Sequence, residues 1–105
     1  MRTTRAEPIP HPALDEIELA AVLHALSDPV RLRIVMGLDR EDGRTCGSFG
    51  LPVTKSTCTH HFKVLREAGV IRQRAEGTAR INSLRRADLD ARFPGLLATI
   101  LDAAR

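Results

Sequence analysis

The side chains best suited to chemistry in this sequence lie between Thr54 and Arg66, where hydroxyl groups, imidazoles and cations alternate. At helical spacing, one face of this stretch carries the polar side chains of Lys55, Ser56, Thr59, His60, Lys63 and Arg66, with Thr57 at its border. Short hydroxyl and imidazole side chains can hydrogen bond to base edges, and lysine or arginine can neutralise phosphates. The chemistry that this pattern predicts is therefore recognition of duplex DNA.

Charge is segregated along the chain in a way that supports this interpretation. Residues 53–86 hold eight Lys or Arg and two Glu, whereas the rest of the chain holds eight basic and eleven acidic side chains. The net charge of the whole chain is only +3, so the positive excess is confined to one segment. Such asymmetry is typical of a polyanion-binding surface, although a solvated run of charges would have the same composition.

Two other classes of function are disfavoured. The sequence has no nucleophile with a base at usable spacing, no phosphate-cradling glycine loop and no set of three metal ligands, so we predict that it is not an enzyme. It also has no Trp, no Tyr and only three Phe, whereas proteins that stack single-stranded bases need exposed aromatic rings. A module that keeps the same fold but binds another protein remains the alternative function.

The elements that position the polar face can be predicted from periodicity and capping residues. Thr54 is a plausible N-cap, and Gly69 a C-terminal stop, for a helix with one apolar stripe. The stripe consists of Cys58, His61, Phe62, Leu65 and Ala68. A two-stranded hairpin should follow, with its turn at residues 76–78 and three basic side chains on its strands: Arg72, Arg74 and Arg80.

The rest of the chain predicts a mainly α-helical fold with this one small β-hairpin. Residues 1–12 contain three prolines and suggest a flexible arm, and residues 13–105 form one domain of five or six helices. A first helix is expected over residues 13–26. Asp28 should cap the next helix, which is expected to turn Arg31 and Arg33 outward. A short helix over residues 45–50 and a last helical region broken at Pro94 complete the pattern.

Three motifs in order carry a resemblance to a known family. DPVRLRIV is followed by TKSTCTHHFKVLREAGVI and then by an EGT turn. Over residues 19–84 the sequence strongly resembles the ArsR/SmtB family of bacterial winged helix-turn-helix regulators. This resemblance implies a homodimer that binds an inverted-repeat operator and usually represses transcription, releasing DNA when an inducer binds.

The resemblance also assigns roles to residues. It implies that DNA is read by one set of helix and wing residues: Lys55, Ser56, Thr57, Thr59, His60, Lys63, Arg74 and Arg80. The charge pattern adds Arg66 to this set. Dimerisation is expected through residues 14–26 and 86–104, with these residues at the interface: Leu14, Ile17, Leu89, Phe93, Leu97 and Ile100. The dimer would cover an otherwise exposed stripe of Leu89, Phe93, Leu97 and Ile100.

How such a regulator would be controlled is left open by the sequence. Many relatives bind transition metals, but only Cys46 stands where the family has a Cys-x-Cys pair, and no histidine follows His61. The candidate metal ligands Cys46, Cys58 and His61 make no complete site, so no cofactor is predicted. A transition-metal effector, a thiol switch between the two cysteines, and a separate sensor protein remain as alternatives.

The compartment is expected to be the cytoplasm. The N-terminal residues lack the apolar run of a signal peptide, and no stretch approaches the roughly 20 apolar residues of a membrane span. Two cysteines in such a chain are expected to be free thiols.

Overall fold

The computed structural model describes residues 9–105 of the chain. Its five α-helices within this range are α1 (Leu19–Leu26), α2 (Pro29–Arg40), α3 (Lys55–Glu67), α4 (Arg86–Arg92) and α5 (Leu96–Ala104). Its three β-strands are β1 (Arg44–Thr45), β2 (Ile71–Glu76) and β3 (Ala79–Leu84). Short 3-10 helical turns lie at Leu14–Glu16 and Cys46–Phe49. The predicted fold class, mainly α with a small β-hairpin, is confirmed.

The first helix is shorter than predicted because the chain is extended at Ile17 and Glu18. A continuous helix from residue 13 would place Ile17 and Leu26 on opposite faces, since nine residues span two and a half turns. The break lets both side chains enter the core. Ile17 packs against Gly69, where an added Cβ would lie 2.6 Å from Ile17 Cγ1. Gly69 also has a φ of +86°, which side chains disfavour.

Asp28 begins α2 as predicted. Its carboxylate accepts hydrogen bonds from the N–H groups of Val30 at 2.8 Å and Arg31 at 3.1 Å, and Pro29 occupies the first helical turn. Desolvation is the largest single influence and opposes ionisation of Asp28, but these hydrogen bonds and the nearby charges of His61 and Arg31 together hold the pKa of the carboxyl below its usual value. The charged form is therefore the one that caps the helix.

The prediction that Arg31 points outward is wrong. Its side chain is buried, and its Nε donates to the carbonyl of Ala25 at 2.7 Å. The same guanidinium contacts the His24 carbonyl and lies 3.2 Å from His61 Nδ1 on α3. Carbonyls at the end of a helix lack intrahelical partners, and Arg31 satisfies that of Ala25 at the end of α1, whereas the His24 carbonyl also accepts from Ser27. Arg31 thus joins three helices from inside, whereas Arg33 is exposed as expected.

The sheet has one strand more than predicted. β2 and β3 form the expected antiparallel hairpin around Gly77, and β1 pairs with the other edge of β3 in the order β1-β3-β2. Arg44 lies opposite Asn82 and Thr45 opposite Ile81. A strand of two polar residues has no alternating apolar pattern, so periodicity could not identify it.

The core includes residues that were expected to form an exposed stripe. Leu89 and Leu97 are each 2% exposed, because α4 packs against the Leu14–Glu16 turn and α5 folds back against α4. Ile17, which was expected at the dimer interface, is only 1% exposed. The large apolar side chains exposed among the described residues are instead Leu14, Leu19 and Leu23, each above 40%. The expectation that Leu89 and Leu97 would be exposed in a single chain is therefore wrong. None of the helices in residues 9–105 has the length and apolar character needed to cross a membrane.

The predicted arm over residues 1–12 lies mostly outside the described residues, but its last part contacts the domain. The backbone N–H of Gln73 on β2 donates to His11 Nε2 at 2.9 Å. Arg85 donates to the carbonyl of Pro12 at 2.8 Å. These bonds fasten residues 11 and 12 to the edge of the hairpin and to the residue that precedes α4.

We predict that this attachment weakens on acidification. Desolvation of His11, together with the charge of Arg72, lowers the pKa of its imidazole below 6.5. The unfolded chain therefore binds the proton more readily, so the stabilisation by His11 is present above about pH 6.5 and is lost as pH falls through the folded pKa. Urea denaturation between pH 7.5 and 5 should show this loss, and His11→Ala should reduce it. An unchanged pH dependence in His11→Ala would contradict the prediction.

Candidate nucleic-acid interface

Helix α3 begins where the sequence predicted. The Thr54 hydroxyl accepts a hydrogen bond from the N–H of Thr57 at 3.2 Å, which confirms the N-cap. The hydroxyl groups of Thr54 and Thr57 also lie 2.9 Å apart. This cap fixes the first turn of α3, and Gly69 ends the helix two residues after Glu67. The polar side chains that follow Thr54 are therefore presented by a rigid element.

One face of α3 is exposed and carries six of the seven helix residues proposed to contact DNA. These are Lys55, Ser56, Thr57, Thr59, His60 and Lys63. Neither lysine forms an ion pair with the described residues. The Thr59 hydroxyl donates to the Lys55 carbonyl at 3.0 Å, so it can still accept from a partner outside the helix. The arrangement offers two cations and several short hydrogen-bonding groups to a ligand.

The opposite face of α3 packs on the core. Phe62 and Leu65 are fully buried, His61 is buried beside Arg31, and Cys58 is half-buried at the edge. The Phe62 ring lies 5.6 Å from the Phe49 ring, tilted by 57°. This contact sets the 3-10 turn Cys46–Phe49 against α3 and makes the two elements one helix-turn-helix unit.

Arg66 does not belong to the exposed face, so its assignment to the DNA-contacting set is wrong. Only 7% of its surface is exposed, and its NH1 donates to Gln73 Oε1 at 2.8 Å. Its Nε is buried without a hydrogen-bond partner among the described residues. From the last turn of α3 the side chain reaches beneath β2 rather than outward. Its positive charge therefore lies inside the protein and is not presented on the exposed face of α3.

Arg66 begins a buried polar chain that sequence reasoning missed. The Gln73 amide donates to Asn82 Oδ1 at 2.7 Å, and the Asn82 amide donates to the Arg44 carbonyl at 2.9 Å. Asn82 is fully buried, and its amide also lies 3.7 Å from Cys46 Sγ. The sequence did contain a signal for this chain, because β2 and β3 each carry one amide side chain at an inward-facing position, Gln73 and Asn82. Gln73 follows the buried Ile71 by two residues and therefore lies on the same face of β2. This chain ties α3 to all three strands.

The hairpin carries exposed arginines as predicted. Arg74 and Arg80 lie at the surface, on strands β2 and β3. Arg74 pairs with Glu76 at 2.9 Å, and Arg72 pairs with Asp88 at 3.4 Å. Exposed pairs of this kind are weak and exchange readily for other anions. The arginines are thus available to a phosphate.

The two cysteines are free and half-buried. Burial raises the pKa of both thiols. The negative charge of a Cys46 thiolate would raise the pKa of Cys58 further, so the thiols lie in one neighbourhood. In the described part of the chain, no three His, Cys, Asp or Glu side chains lie close enough to hold a metal ion. Cys46, Cys58 and His61 therefore do not make a metal centre with one another.

The chain is similar to known helix-turn-helix proteins. Residues 26–74 match a family model described as a helix-turn-helix domain. The chain is 36% identical over 84 residues to an uncharacterised HTH-type transcriptional regulator, YceK, of Bacillus subtilis, with 77% of this chain and 84% of that protein covered.

Solved structures give the same result. The transcriptional repressor BigR from Xylella fastidiosa superposes with a TM-score of 0.60 at 28% identity, covering 78% of this chain and 84% of that one. An ArsR-like transcriptional regulator from Rhodococcus superposes with a TM-score of 0.61 at 28% identity, covering 82% and 84%. The fold is thus that of winged helix-turn-helix regulators.

We predict that the buried chain is what keeps the hairpin in place. Asn82→Ala would remove the side-chain partner of Gln73 Nε2 and the side-chain hydrogen bond to the Arg44 carbonyl, and should lower the free energy of unfolding by about 2–3 kcal/mol. Ser83→Ala, the next residue on the same strand, is the matched control and should change it by less than about 0.5 kcal/mol. Urea denaturation gives the stability, and faster amide exchange in β2 would localise the effect. Equal stability of the two variants would refute this role.

Proposed function

Because the chain belongs to the ArsR-type winged helix-turn-helix transcriptional regulators, which bind DNA and are not enzymes, we propose that it acts as a homodimer on an inverted-repeat operator and represses transcription there. The observation that carries this proposal is the exposed polar face of α3, held rigid by its cap and by the buried chain to the strands. BigR is named a transcriptional repressor, which supports repression rather than activation of transcription by this protein.

In this proposal α3 is the recognition helix and enters the major groove, which is wide enough to admit an α-helix. Thr59 and His60, together with Ser56 and Thr57 in the first turn, would hydrogen bond to base edges. Lys55 and Lys63 would contact phosphates on either side. Hydroxyls and imidazoles discriminate between bases, whereas lysine acts as a point charge that fixes position.

The hairpin of β2 and β3 serves as the wing and contacts the neighbouring backbone. Arg74 and Arg80 would each bind a phosphate, and Arg74 would exchange its carboxylate partner Glu76 for it. Since Gln73 connects β2 to Arg66 of α3, the wing and the recognition helix meet DNA in a fixed relation. Arg66 supports this relation from inside and does not touch DNA.

The dimer interface would be built on the exposed apolar side chains. Leu19 and Leu23 are one turn apart on α1, so they form an apolar ridge on one face of the helix. Leu14, in the 3-10 turn that precedes α1, is also exposed. Phe93 and Ile100 are half-buried and complete the apolar surface from the other end of the chain. Ile17, Leu89 and Leu97 back this surface from the core. A two-fold dimer would present two recognition helices, which matches an inverted repeat.

The two roles assigned to α3 predict different phenotypes. Lys63→Ala should weaken binding to every duplex by a similar factor and reduce the salt dependence, because one phosphate contact is lost. Thr59→Ala and His60→Ala should instead change the preference among operator variants. Fluorescence anisotropy on a duplex from the region upstream of the protein's own gene, with a scrambled duplex as the control, measures both. Equal affinity for the two duplexes would contradict sequence-specific recognition.

Placing negatively charged side chains in the proposed dimer interface should separate the dimer into monomers. Leu19→Glu combined with Leu23→Glu should shift the sedimentation coefficient from that of a dimer to that of a monomer, since two buried carboxylates are not tolerated in an apolar interface. Circular dichroism should remain unchanged, because both side chains are exposed in the single chain. Thr78→Glu, in the exposed turn of the wing, is the matched control and should leave the dimer intact. A double variant that still sediments as a dimer would place the interface elsewhere.

A further inference from the structure

A basic groove lies between α2 and the segment that leads into α3. It has a volume of about 250 Å³ and is lined by Arg33, Met36, Gly37, Arg40, Arg44, Phe49 and Leu51. We propose that this basic groove binds a small organic carboxylate with a flat apolar body, and that the bound anion weakens the affinity for DNA. The regulatory half of this inference rests on the proposed function, whereas the binding half does not.

One wall of the groove is a single face of α2. Arg33, Met36, Gly37 and Arg40 are spaced by three, four and seven residues and therefore share one side of the helix. The two arginines are exposed and stand two turns apart, with the small glycine and the methionine between them. This wall offers a cation at each end of an apolar middle.

The other wall carries the guanidinium of Arg44, which contacts within the protein hold in place. Arg44 lies over the Phe49 ring with its Cζ 4.1 Å from the centroid, and it donates to Ser48 Oγ at 3.2 Å and to the Ser48 carbonyl at 2.6 Å. Its NH1 has no acceptor among residues 9–105 and points at α2. A Cβ at Gly37 would lie 3.1 Å from this NH1 and 2.8 Å from Phe49 Cε1, so glycine is what lets the two walls approach.

The charge of the groove selects an anion. No Asp or Glu lines it, and neither Arg33 nor Arg40 forms an ion pair within the part of the chain that the structure describes. Asp39 precedes Arg40 in the sequence but does not pair with it, because the Asp39 carboxylate pairs with Arg86 and Arg105. Three guanidinium groups are therefore left without a counter-charge around one cavity.

The remaining lining and the size of the groove select an organic anion over a bare ion. Met36, Phe49 and Leu51 supply apolar surface that inorganic sulfate or phosphate could not cover. A volume of about 250 Å³ is somewhat below the usual range for small-molecule sites, which limits the ligand to a compact ring with one or two carboxylates. Arginine is also the side chain whose geometry best fits a carboxylate.

The groove is connected to the DNA-binding unit through two of its own residues. Phe49, the floor under Arg44, packs against Phe62 of α3 at 5.6 Å. The backbone carbonyl of Arg44 accepts the hydrogen bond from Asn82 that ends the buried chain to the wing. A ligand held by Arg44 therefore acts on both elements, and its negative charge lowers the positive potential that attracts DNA. Both effects predict weaker DNA binding.

The binding half is tested on the full chain without DNA. Titration with phthalate or benzoate should shift the Gly37 amide signal saturably in ¹H–¹⁵N spectra, and neutral benzamide or inorganic sulfate should bind at least about tenfold more weakly. Arg33→Gln and Arg40→Gln should each reduce phthalate affinity by about tenfold or more, as expected for loss of a charged hydrogen bond. Lys63→Gln, which removes the same charge from α3, is the control and should leave phthalate affinity unchanged. The absence of a saturable shift, or equally tight sulfate binding, would overturn the proposal.

The regulatory half is tested by anisotropy on the operator duplex. Saturating phthalate should lower DNA affinity by at least about fivefold compared with sodium chloride of equal ionic strength. Arg40→Gln should abolish this effect while keeping the affinity without ligand within about twofold of the unaltered protein. If Arg40→Gln alone weakened DNA binding as much as Lys63→Ala does, the groove would be a phosphate contact of the DNA and the proposal would be wrong. A failure to bind any DNA would contradict the proposed function while leaving the phthalate titration as an independent result.

Discussion

The buried hydrogen bonds that run from Arg66 through Gln73 and Asn82 to the Arg44 carbonyl are the constraint on which the rest of the interface depends. A hairpin of two six-residue strands has little apolar surface of its own and is marginal in isolation. The buried chain supplies what hydrophobic packing does not, since its three hydrogen bonds lie in a low-dielectric interior, where a hydrogen bond is stronger than in water. The angle between the wing and α3 is thereby set inside the protein, before any DNA is bound.

Helix α3 could be predicted almost completely from the sequence, because its signals are local. The hydroxyl of Thr54, the period of Phe62 and Leu65, and Gly69 at the end each act within a few residues of their position. The two mistaken arginines show the limit of such signals. Arg31 and Arg66 occupy helix positions that periodicity allows to be exposed, but each has a partner that is contributed by another element.

The apolar residues of the first and last helices show a second limit. Helical spacing indicates that Leu89, Phe93, Leu97 and Ile100 share a face, but not whether this chain or another one covers it. In the structure α5 folds back and buries Leu97, while Leu19 and Leu23 on α1 stay exposed. The break at Ile17 and the strand at Arg44–Thr45 were likewise invisible, since both arise from contacts with residues far along the chain.

The close approach of Ile17 to Gly69 has a consequence for how the two halves of an operator are spaced. Ile17 lies in the segment that leads to the apolar ridge of α1, and Gly69 follows the end of α3, so little room exists for one to move without the other. In the proposed dimer the distance between the two recognition helices is then transmitted rigidly across the two-fold axis. We therefore expect such a dimer to bind less well when base pairs are inserted or removed between the two half-sites.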